Sequence, residues 1–507
     1  MEKKKPQRVW RGWRVISSIV CALLVVCEGL LMFQLWKLKM LPMKFFLPLL
    51  ALMVIVDIPL IVMMFPRTGR WQKSAKHGKK IVSYVLSLIL AAGGFVGWRA
   101  VQKGDQTVDR ITQTTTVAAQ VGVYVLAEDP AASIADARGY TFAVTDLRDK
   151  ENTQAAVSAI EKELGSSIDQ KTCANFEEMA QALYSGKAQA LILNVSYAGL
   201  FDENEQFKDF RDRTRLLYTY NVEKVVEPTE APTEGHEEPT EPKAVSETPF
   251  VIYLSGSDTR SDTLTDSGSR SDVNILAVVH PATKQILLVN TPRDYYIENP
   301  AYGVMDKLTH CGLDGMSNSM QALSNLYGCD IRYNAQINFT GFETLIDAVG
   351  GINIYAEEGD GVHLSAGDNY MDGEQALEFA RDRYNYSDGD NARGRHQMMV
   401  ITAVVDKLTS PAIVNNYSSI LDSLQGMFST NVPSDTVREL IKMQLNDMAS
   451  WDIHSYAVTG TGGMDSTIAG TASVMYPDDA TVEHASRLID RVLNGETITD
   501  ADVAPME

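Results

Sequence analysis

The chain has 507 residues, with 45 Lys and Arg against 65 Asp and Glu, 45% hydrophobic residues and a formal net charge of -20. That composition excludes collagen-like, wholly disordered and disulfide-scaffold classes. Charge is also partitioned: residues 1–100 hold 16 of the Lys and Arg but 3 of the acids, a net +13, leaving 29 and 62, a net -33, for the remainder. An acidic bulk of that size repels a phosphate backbone, which argues against nucleic acid as a partner and requires any anionic ligand to be met by a local arginine cluster.

Three apolar runs, 15–36, 45–65 and 81–98, each supply about the ~20 residues that cross a bilayer as a helix. A cleaved signal peptide would need one such run, so the N-terminal 100 residues read as a membrane anchor. Lys3, Lys4, Lys5, Arg8, Arg11 and Arg14 precede the first span, and Arg67, Arg70, Lys73, Lys76, Lys79 and Lys80 fill the second loop. The short first loop holds Lys37, Lys39 and Lys44. The positive-inside bias therefore places the N-terminus in the cytoplasm and everything after about residue 99 outside the cell. Asp57 and Pro59 within the second span could mark a functional polar site, but with Glu28 as the one further ionisable group in the spans they read as a polar contact between helices.

Residues 105–221 read as a small α/β unit, with apolar strands at 121–126, 140–144 and 190–195 alternating with helical periodicity at 151–164 and 175–186. It holds no catalytic constellation. Residues 222–249, with repeated Glu-Pro-Thr and Pro-Thr-Glu units, carry few apolar side chains and read as an extended linker. The last domain, 250–495, opens with strands at 250–254, 273–279 and 285–290 and continues with helices near 315–327, 340–349, 373–382 and 394–409. This alternation over about 245 residues predicts a three-layer α/β/α sandwich. Cys311 and Cys329 read as buried thiols, with a disulfide between them left open, and no cysteine has metal-ligand spacing.

Four segments of the last domain set acids and arginines where strands end or helices begin. They are Gly256-Ser257-Asp258-Thr259-Arg260, Arg270-Ser271-Asp272, Thr291-Pro292-Arg293-Asp294, and Arg381-Asp382-Arg383 followed by Asp390-Asn391-Ala392-Arg393-Gly394-Arg395-His396-Gln397. Any one Arg-x-Arg alone reads as surface ion pairing. Together they read otherwise, because a guanidinium is a permanently charged planar fork that meets phosphate oxygens two at a time, and several of them suit a pyrophosphate. Asp258 and Asp272 offer hard oxygen ligands for a divalent ion that shares phosphate oxygens. The combination describes metal-assisted phosphoryl transfer. Phe339, Phe342, Leu345, Ile346 and Val349 have helical spacing suited to one wall of an apolar cavity, or equally to plain core packing. Gly350-Gly351 reads as a helix C-cap and turn, and Lys307 and His310 as turn or core residues within possible reach of a phosphate.

The motifs GSDTR, RSDVNIL, TPRDYY, DKLTH, INFTGFETLIDAVGGINIY and MDGEQALEFARDRYNYSDGDNARGRHQ, in this order, resemble the LytR-CpsA-Psr family, and the whole layout resembles its CpsA-like members from capsule loci. The resemblance implies a membrane-anchored extracytoplasmic transferase in a Gram-positive type envelope. It would move a glycopolymer, capsular polysaccharide or a teichoic-acid-like polymer, from a polyprenyl-pyrophosphate carrier to peptidoglycan with Mg2+ or Mn2+. It further implies that Asp258 and Asp272 bind the metal, that Arg293, Arg381, Arg383, Arg393 and Gln397 bind the pyrophosphate, and that Asp294 and Asp390 orient those arginines, with the proton lost during attack going to Asp390 or managed by a metal-polarised acceptor hydroxyl. Many family members carry an arginine where His396 stands, a role Arg395 could fill here. The other reading is a membrane sensor that binds lipid-linked glycan without turnover and signals to capsule-export machinery; the carboxylate pair Asp258 and Asp272 distinguishes the two, since a sensor needs only the arginines.

Overall fold

The structure, a computed structural model of the whole chain, describes residues 6–65, 77–112, 117–145, 149–224, 248–257, 268–356, 364–383, 385–386, 389–410, 420 and 426–504. It divides into two compact units, one of 1–110 with 414–422 and 433–449, the other of the remaining residues.

In the first unit, α1 (Pro6–Leu38), α2 (Met43–Met64) and α3 (His77–Thr112) contain three stretches long and apolar enough to cross a membrane: Arg14–Leu38, Met43–Met64 and Gly78–Asp109. Small contacts set their packing. A Cβ on Gly94 would lie 3.2 Å from the backbone nitrogen of Glu28, so glycine lets α3 approach α1 closely. Ser17 Oγ donates to the Met64 carbonyl at 3.0 Å and Ser83 Oγ to the Leu60 carbonyl at 2.6 Å, so both buried hydroxyls find carbonyl partners on a neighbouring helix. The helix Ser434–Asp447 belongs to the same unit, where Arg438 pairs with Asp105 and Asp109 of α3 at 2.7 and 2.6 Å.

The second unit contains two sheets. The first has the order β3 (Asp169–Cys173), β2 (Thr141–Thr145), β4 (Ala190–Asn194), β1 (Val117–Leu126), β5 (Thr214–Lys224). It is packed by α4 (Lys150–Leu164), α5 (Phe176–Tyr184), a 3-10 segment, Val195–Glu203, and the short α6 (Phe210–Arg213). Strand β3 has polar, mostly exposed side chains, so apolar patterning did not reveal it, whereas β5 alternates polar residues with Leu217, Tyr218, Tyr220 and Val222, which pack against the core of this sheet.

The second sheet runs β14 (Phe428–Thr430), β11 (Tyr333–Asn338), β6 (Phe250–Ser257), β7 (Ser271–His280), β8 (Gln285–Asn290), β15 (Asp452–Ala457). β6 lies parallel to β11 and antiparallel to β7, and β8 parallel to β15. Because side chains alternate across a strand, Val251, Tyr253, Leu276, Val278, Leu287 and Val289 enter one core and Ile252, Leu254, Ile275, Ala277, Ile286 and Leu288 the other. Helices α8 (Met316–Tyr327) and α12 (Asp479–Leu493) cover the first face, and α11 (Asp390–Thr409) covers the second. The result is the expected α/β/α layering, and covering on both faces explains the nearly continuous apolar strands. Further elements are β9 (Tyr296–Asn299), β10 (Val304–Lys307), α7 (Leu308–Cys311), α9 (Phe339–Ala348), β12 (Ile352–Ala356), β13 (Gly367–Met371), α10 (Gly373–Arg381), β16 (Gly460–Thr467) and β17 (Gly470–Pro477).

Helix α9 ends where Gly350 and Gly351 adopt φ of +84° and +77°. The Gly351 N–H donates to the Ile346 carbonyl at 2.9 Å and that of Gly350 to Asp347 at 3.0 Å, a left-handed cap and turn with no phosphate loop. Cys311 and Cys329 are buried free thiols, and burial raises the Cys311 thiol well above its ordinary range and that of Cys329 to about 12.

The two sheets of this unit share a core. Leu313, Ile468 and Ala469, from the elements around the second sheet, pack into the cluster of Phe176, Tyr197, Phe201 and Phe210 beneath the first. Tyr197 donates to Asp314 at 2.8 Å across the same boundary.

Candidate active site

A cavity of about 670 Å³ opens between the second sheet and helices α9, α10 and α11. Its floor is Ile252, Leu254 and Gly256 of β6, Val273 of β7 and Ala335 and Ile337 of β11. Phe339, Phe342 and Leu345 form one wall at helical spacing. Ile346 and Val349 of the same run do not line it and are buried, so part of that stripe serves the cavity and part the core. One face of α11 supplies Arg393, Gln397, Ile401, Val404, Val405 and Leu408, spaced by about one turn each. Along that face the lining passes from polar to apolar.

The polar end collects Asp272, Arg293, Arg381, Arg383, Arg393 and Gln397. Sequence reasoning named all six, and four separate chain segments bring them together. Asp272 sits just past a register shift between β6 and β7 at Gly256, where a side chain would collide with Val273, a Cβ coming within 2.6 Å of its Cγ2. The neighbouring Ser271 is held by Tyr253 Oη at 2.8 Å and Ser255 Oγ at 2.7 Å. Arg293 leaves β8 on a pinned backbone: its carbonyl accepts from the Thr309 N–H and that of Asp294 from the Met475 N–H, each at 2.8 Å. Its Nη1 donates to Asp272 Oδ1 at 2.8 Å, and its Nε lies 3.7 Å from Asp294 Oδ2.

Arg381 closes α10, and its guanidinium stands 4.4 Å from the centre of the Phe339 ring, a cation-π contact that holds it over the cavity mouth. The capping box of Asp372 and Gln375 fixes the other end of that short helix. Arg393 and Gln397 are buried, one turn apart on α11, and Gln397 Nε2 donates to the Ala380 carbonyl at 3.3 Å. Arg395 is exposed, and His396 is buried by stacking on Phe379 at 4.2 Å, so neither lines the cavity. The helical turn that aims 393 and 397 inward turns 395 and 396 elsewhere. Asp258 lies outside the described residues; Asp390 begins α11, and its side chain lies outside the described side chains.

Asp272 is a hard carboxylate beside an arginine at the cavity lining, the donor chemistry that suits Mg2+ or Mn2+. Among the described residues no three His, Cys, Asp or Glu groups gather into a cage. An ion there would complete its shell with phosphate oxygens and water, as Mg2+ ordinarily does.

Behind the polar end lies a second cluster. Lys307 Nζ contacts Asp294 Oδ1 at 3.1 Å and Glu203 Oε2 at 2.6 Å, and Glu203 Oε1 lies 3.2 Å from Arg270 and 3.4 Å from His310 Nε2. His310 Nδ1 is 2.7 Å from Asp306 Oδ1, both fully buried. Burial alone would push His310 down, but Asp306 and then Glu203 outweigh it and leave its pKa raised. Burial likewise opposes the charge on Glu203, yet His310 and Lys307 hold its carboxyl well below the usual range. Glu203 comes from the 3-10 segment of the first sheet, in a stretch with no motif, and no pattern in the sequence marks it.

The LytR_cpsA_psr family model matches residues 216–488, more than half of the chain. A curated relative from Enterococcus faecalis, the polyisoprenyl-teichoic acid–peptidoglycan teichoic acid transferase TagU, is 36% identical over 196 residues, 38% of this chain and 64% of that protein. The TagU of Oceanobacillus iheyensis is 31% identical over 224 residues, 42% and 68% of the two chains. The chain thus spans just under two thirds of the Enterococcus relative. A solved protein from Streptococcus agalactiae is 25% identical, covers 50% of this chain and 90% of its own, and superposes with a TM-score of 0.41. The matched stretch holds every arginine and carboxylate at the cavity's polar end, and the chain belongs to the LytR_cpsA_psr family.

Proposed function

We propose that this protein transfers a glycopolymer, capsular or teichoic-acid-like, from a polyprenyl-pyrophosphate carrier to peptidoglycan on the outer face of the cell membrane. The observation that carries this reading is the two-ended cavity, with four arginines and Gln397 at one end and an apolar trough of phenylalanine, leucine, isoleucine and valine at the other. A prenyl tail suits the trough and a pyrophosphate the arginine forks. Relatives named as teichoic acid transferases support the same class of reaction.

In this reading a peptidoglycan hydroxyl attacks one of two centres. Attack on the phosphorus beside the sugar breaks the P–O–P bond, forms a phosphodiester and releases polyprenyl phosphate. Attack on the sugar carbon breaks its C–O bond, forms a glycoside and releases polyprenyl pyrophosphate. In both, negative charge grows on the departing phosphate, where Arg293, Arg381, Arg383 and Arg393 concentrate positive charge, and Gln397 adds an uncharged donor. Asp294 orients Arg293, and Asp390 is assigned the proton lost by the attacking hydroxyl. A divalent ion on Asp272 and Asp258, Mg2+ or Mn2+, supplies Lewis acidity to a phosphate oxygen when bound. The lysine and arginine bias of the loops supports a cytoplasmic N-terminus and an outer catalytic domain.

The test is transfer by the full chain in lipid nanodiscs, given a labelled polyprenyl-pyrophosphoryl oligosaccharide and peptidoglycan fragments with and without Mg2+. Label on the acceptor with release of prenyl phosphate or pyrophosphate is expected. Tight lipid binding with no transfer under any metal condition would refute the reading in favour of a sensor.

A further inference from the structure

The polar end of the cavity does not terminate at Asp294. From Asp272 the charges alternate without a break through Arg293, Asp294 and Lys307 to Glu203, with separations of 2.8, 3.7, 3.1 and 2.6 Å. The first four groups belong to the large domain. Glu203 does not: it closes the 3-10 segment Val195–Glu203, which follows strand β4 of the small sheet. Its carboxylate reaches across the shared core and is 16% exposed.

Lys307 explains why this matters. Its ammonium is 7% exposed and contacts two carboxylates, Glu203 and Asp294. A desolvated ammonium needs compensating negative charge close by, since an unpaired buried charge is strongly destabilising. With Glu203 in place, Asp294 is shared between Lys307 and Arg293. With Glu203 neutral, Lys307 must draw on Asp294 alone, which pulls that carboxylate toward Nζ and away from Arg293 Nε. Arg293 would then lose one of the two carboxylates beside it, Asp294, and with it the direction that this contact sets at the cavity lining. Glu203 itself does not line the cavity, nor do Lys307 and Asp294, so the effect runs through other side chains.

We propose that Glu203 is a positioning residue for the transferase site: the small α/β layer supplies the anion that holds Lys307, and through Lys307 and Asp294 it fixes the direction of Arg293. The small layer is therefore part of the working site rather than a separate binding module. This inference rests on the transferase reading above for its principal assay.

The experiment compares the full chain and its Glu203→Gln variant in nanodiscs. Gln is isosteric, so it keeps the packing and a hydrogen bond to Lys307 or His310 while removing the charge. Glu203→Gln is expected to lower kcat for transfer about tenfold or more, with KM for the peptidoglycan fragment within twofold and the folded fraction unchanged. A kcat within twofold of the parent protein, or a fall that only tracks loss of folded protein, would overturn the proposal. Should Glu203→Gln fail to fold, Glu203→Asp is read in its place, with a threefold or larger loss of kcat expected and an unchanged kcat overturning it. If the parent protein shows no transfer, the transferase reading fails by itself, and the inference is decided by binding of geranyl pyrophosphate. A tenfold weaker Kd in Glu203→Gln would then support it, and an equal Kd would overturn it.

Discussion

Val405 lies on the cavity face of α11 among the apolar lining, well along that helix from Arg393 and Gln397. Replacing it with Trp places an indole in a trough of about 670 Å³ while leaving the arginine end untouched. Each buried methylene is worth about 0.8 kcal/mol, so a further five-carbon prenyl unit is worth up to roughly 4 kcal/mol before ordering costs of about 1 kcal/mol are subtracted. A net gain of about 2–3 kcal/mol corresponds to roughly thirtyfold to 150-fold in Kd for each unit that finds room. Titration calorimetry with inorganic pyrophosphate, geranyl pyrophosphate and farnesyl pyrophosphate reads this directly. The parent protein should show affinity rising with chain length, whereas Val405→Trp should bind inorganic pyrophosphate normally and lose most of the gain from geranyl to farnesyl. Equal affinities across the series in the parent protein, or an equal weakening of all three ligands in the variant, would refute the idea that the trough holds the prenyl tail.

Arg393→Lys keeps the charge but removes the planar fork, and should weaken pyrophosphate binding by about 1–2 kcal/mol, five- to thirtyfold in the same calorimetric assay. Gly373→Ala should destabilise the protein by about 1–3 kcal/mol, because its Cβ would come within 2.2 Å of the Glu343 carbonyl oxygen, a backbone atom that cannot step aside; thermal unfolding checks it. His310 carries the pH prediction. Its pKa is raised in the folded state by Asp306 and Glu203 against burial, so its contribution is fully present below the unfolded value near 6.5 and is lost as pH rises through the folded value. Unfolding midpoints should therefore fall as pH is raised above neutrality, and His310→Asn should flatten that slope. The lowered Glu203 carboxyl acts in the opposite direction, stabilising above its unfolded value near 4.5 and losing that contribution only in strong acid.

The alternation of strands and helices was legible because it rests on a local rule, and the six polar lining residues because an arginine cluster of that spacing coincides with motifs of a known family. Arg293 ends an apolar strand and the arginines are closely spaced in an acidic domain, so a phosphate site could be read from the chain, while the choice of Gln397 beside Arg393 came from the motif resemblance. The role of His396 was not legible: it sits between two residues that face the cavity, but stacking against Phe379 comes from the fold of α10 against α11. Strand β3 escaped because its side chains are polar and mostly exposed, and β5, which does pack Leu217 and Val222 on the core, escaped because it runs to Lys224, across the boundary at which the linker was expected to begin. Glu203 escaped for a stronger reason. Its partners Lys307 and His310 lie over 100 residues away, and only the packing of Tyr197 and Phe201 against Leu313 and Ile468 brings them together.

The most direct test is single-turnover transfer by the full chain in nanodiscs, with the lipid-linked oligosaccharide saturating and Mg2+ present, comparing the parent protein with Arg293→Ala and Asp272→Ala. Arginine forks and a metal carboxylate that act on the departing phosphate predict that both variants still load lipid at high concentration but transfer at least a hundredfold more slowly, with only Asp272→Ala losing its response to Mg2+. Transfer by either variant at the parent rate would contradict that placement of the chemistry at the polar end of the cavity.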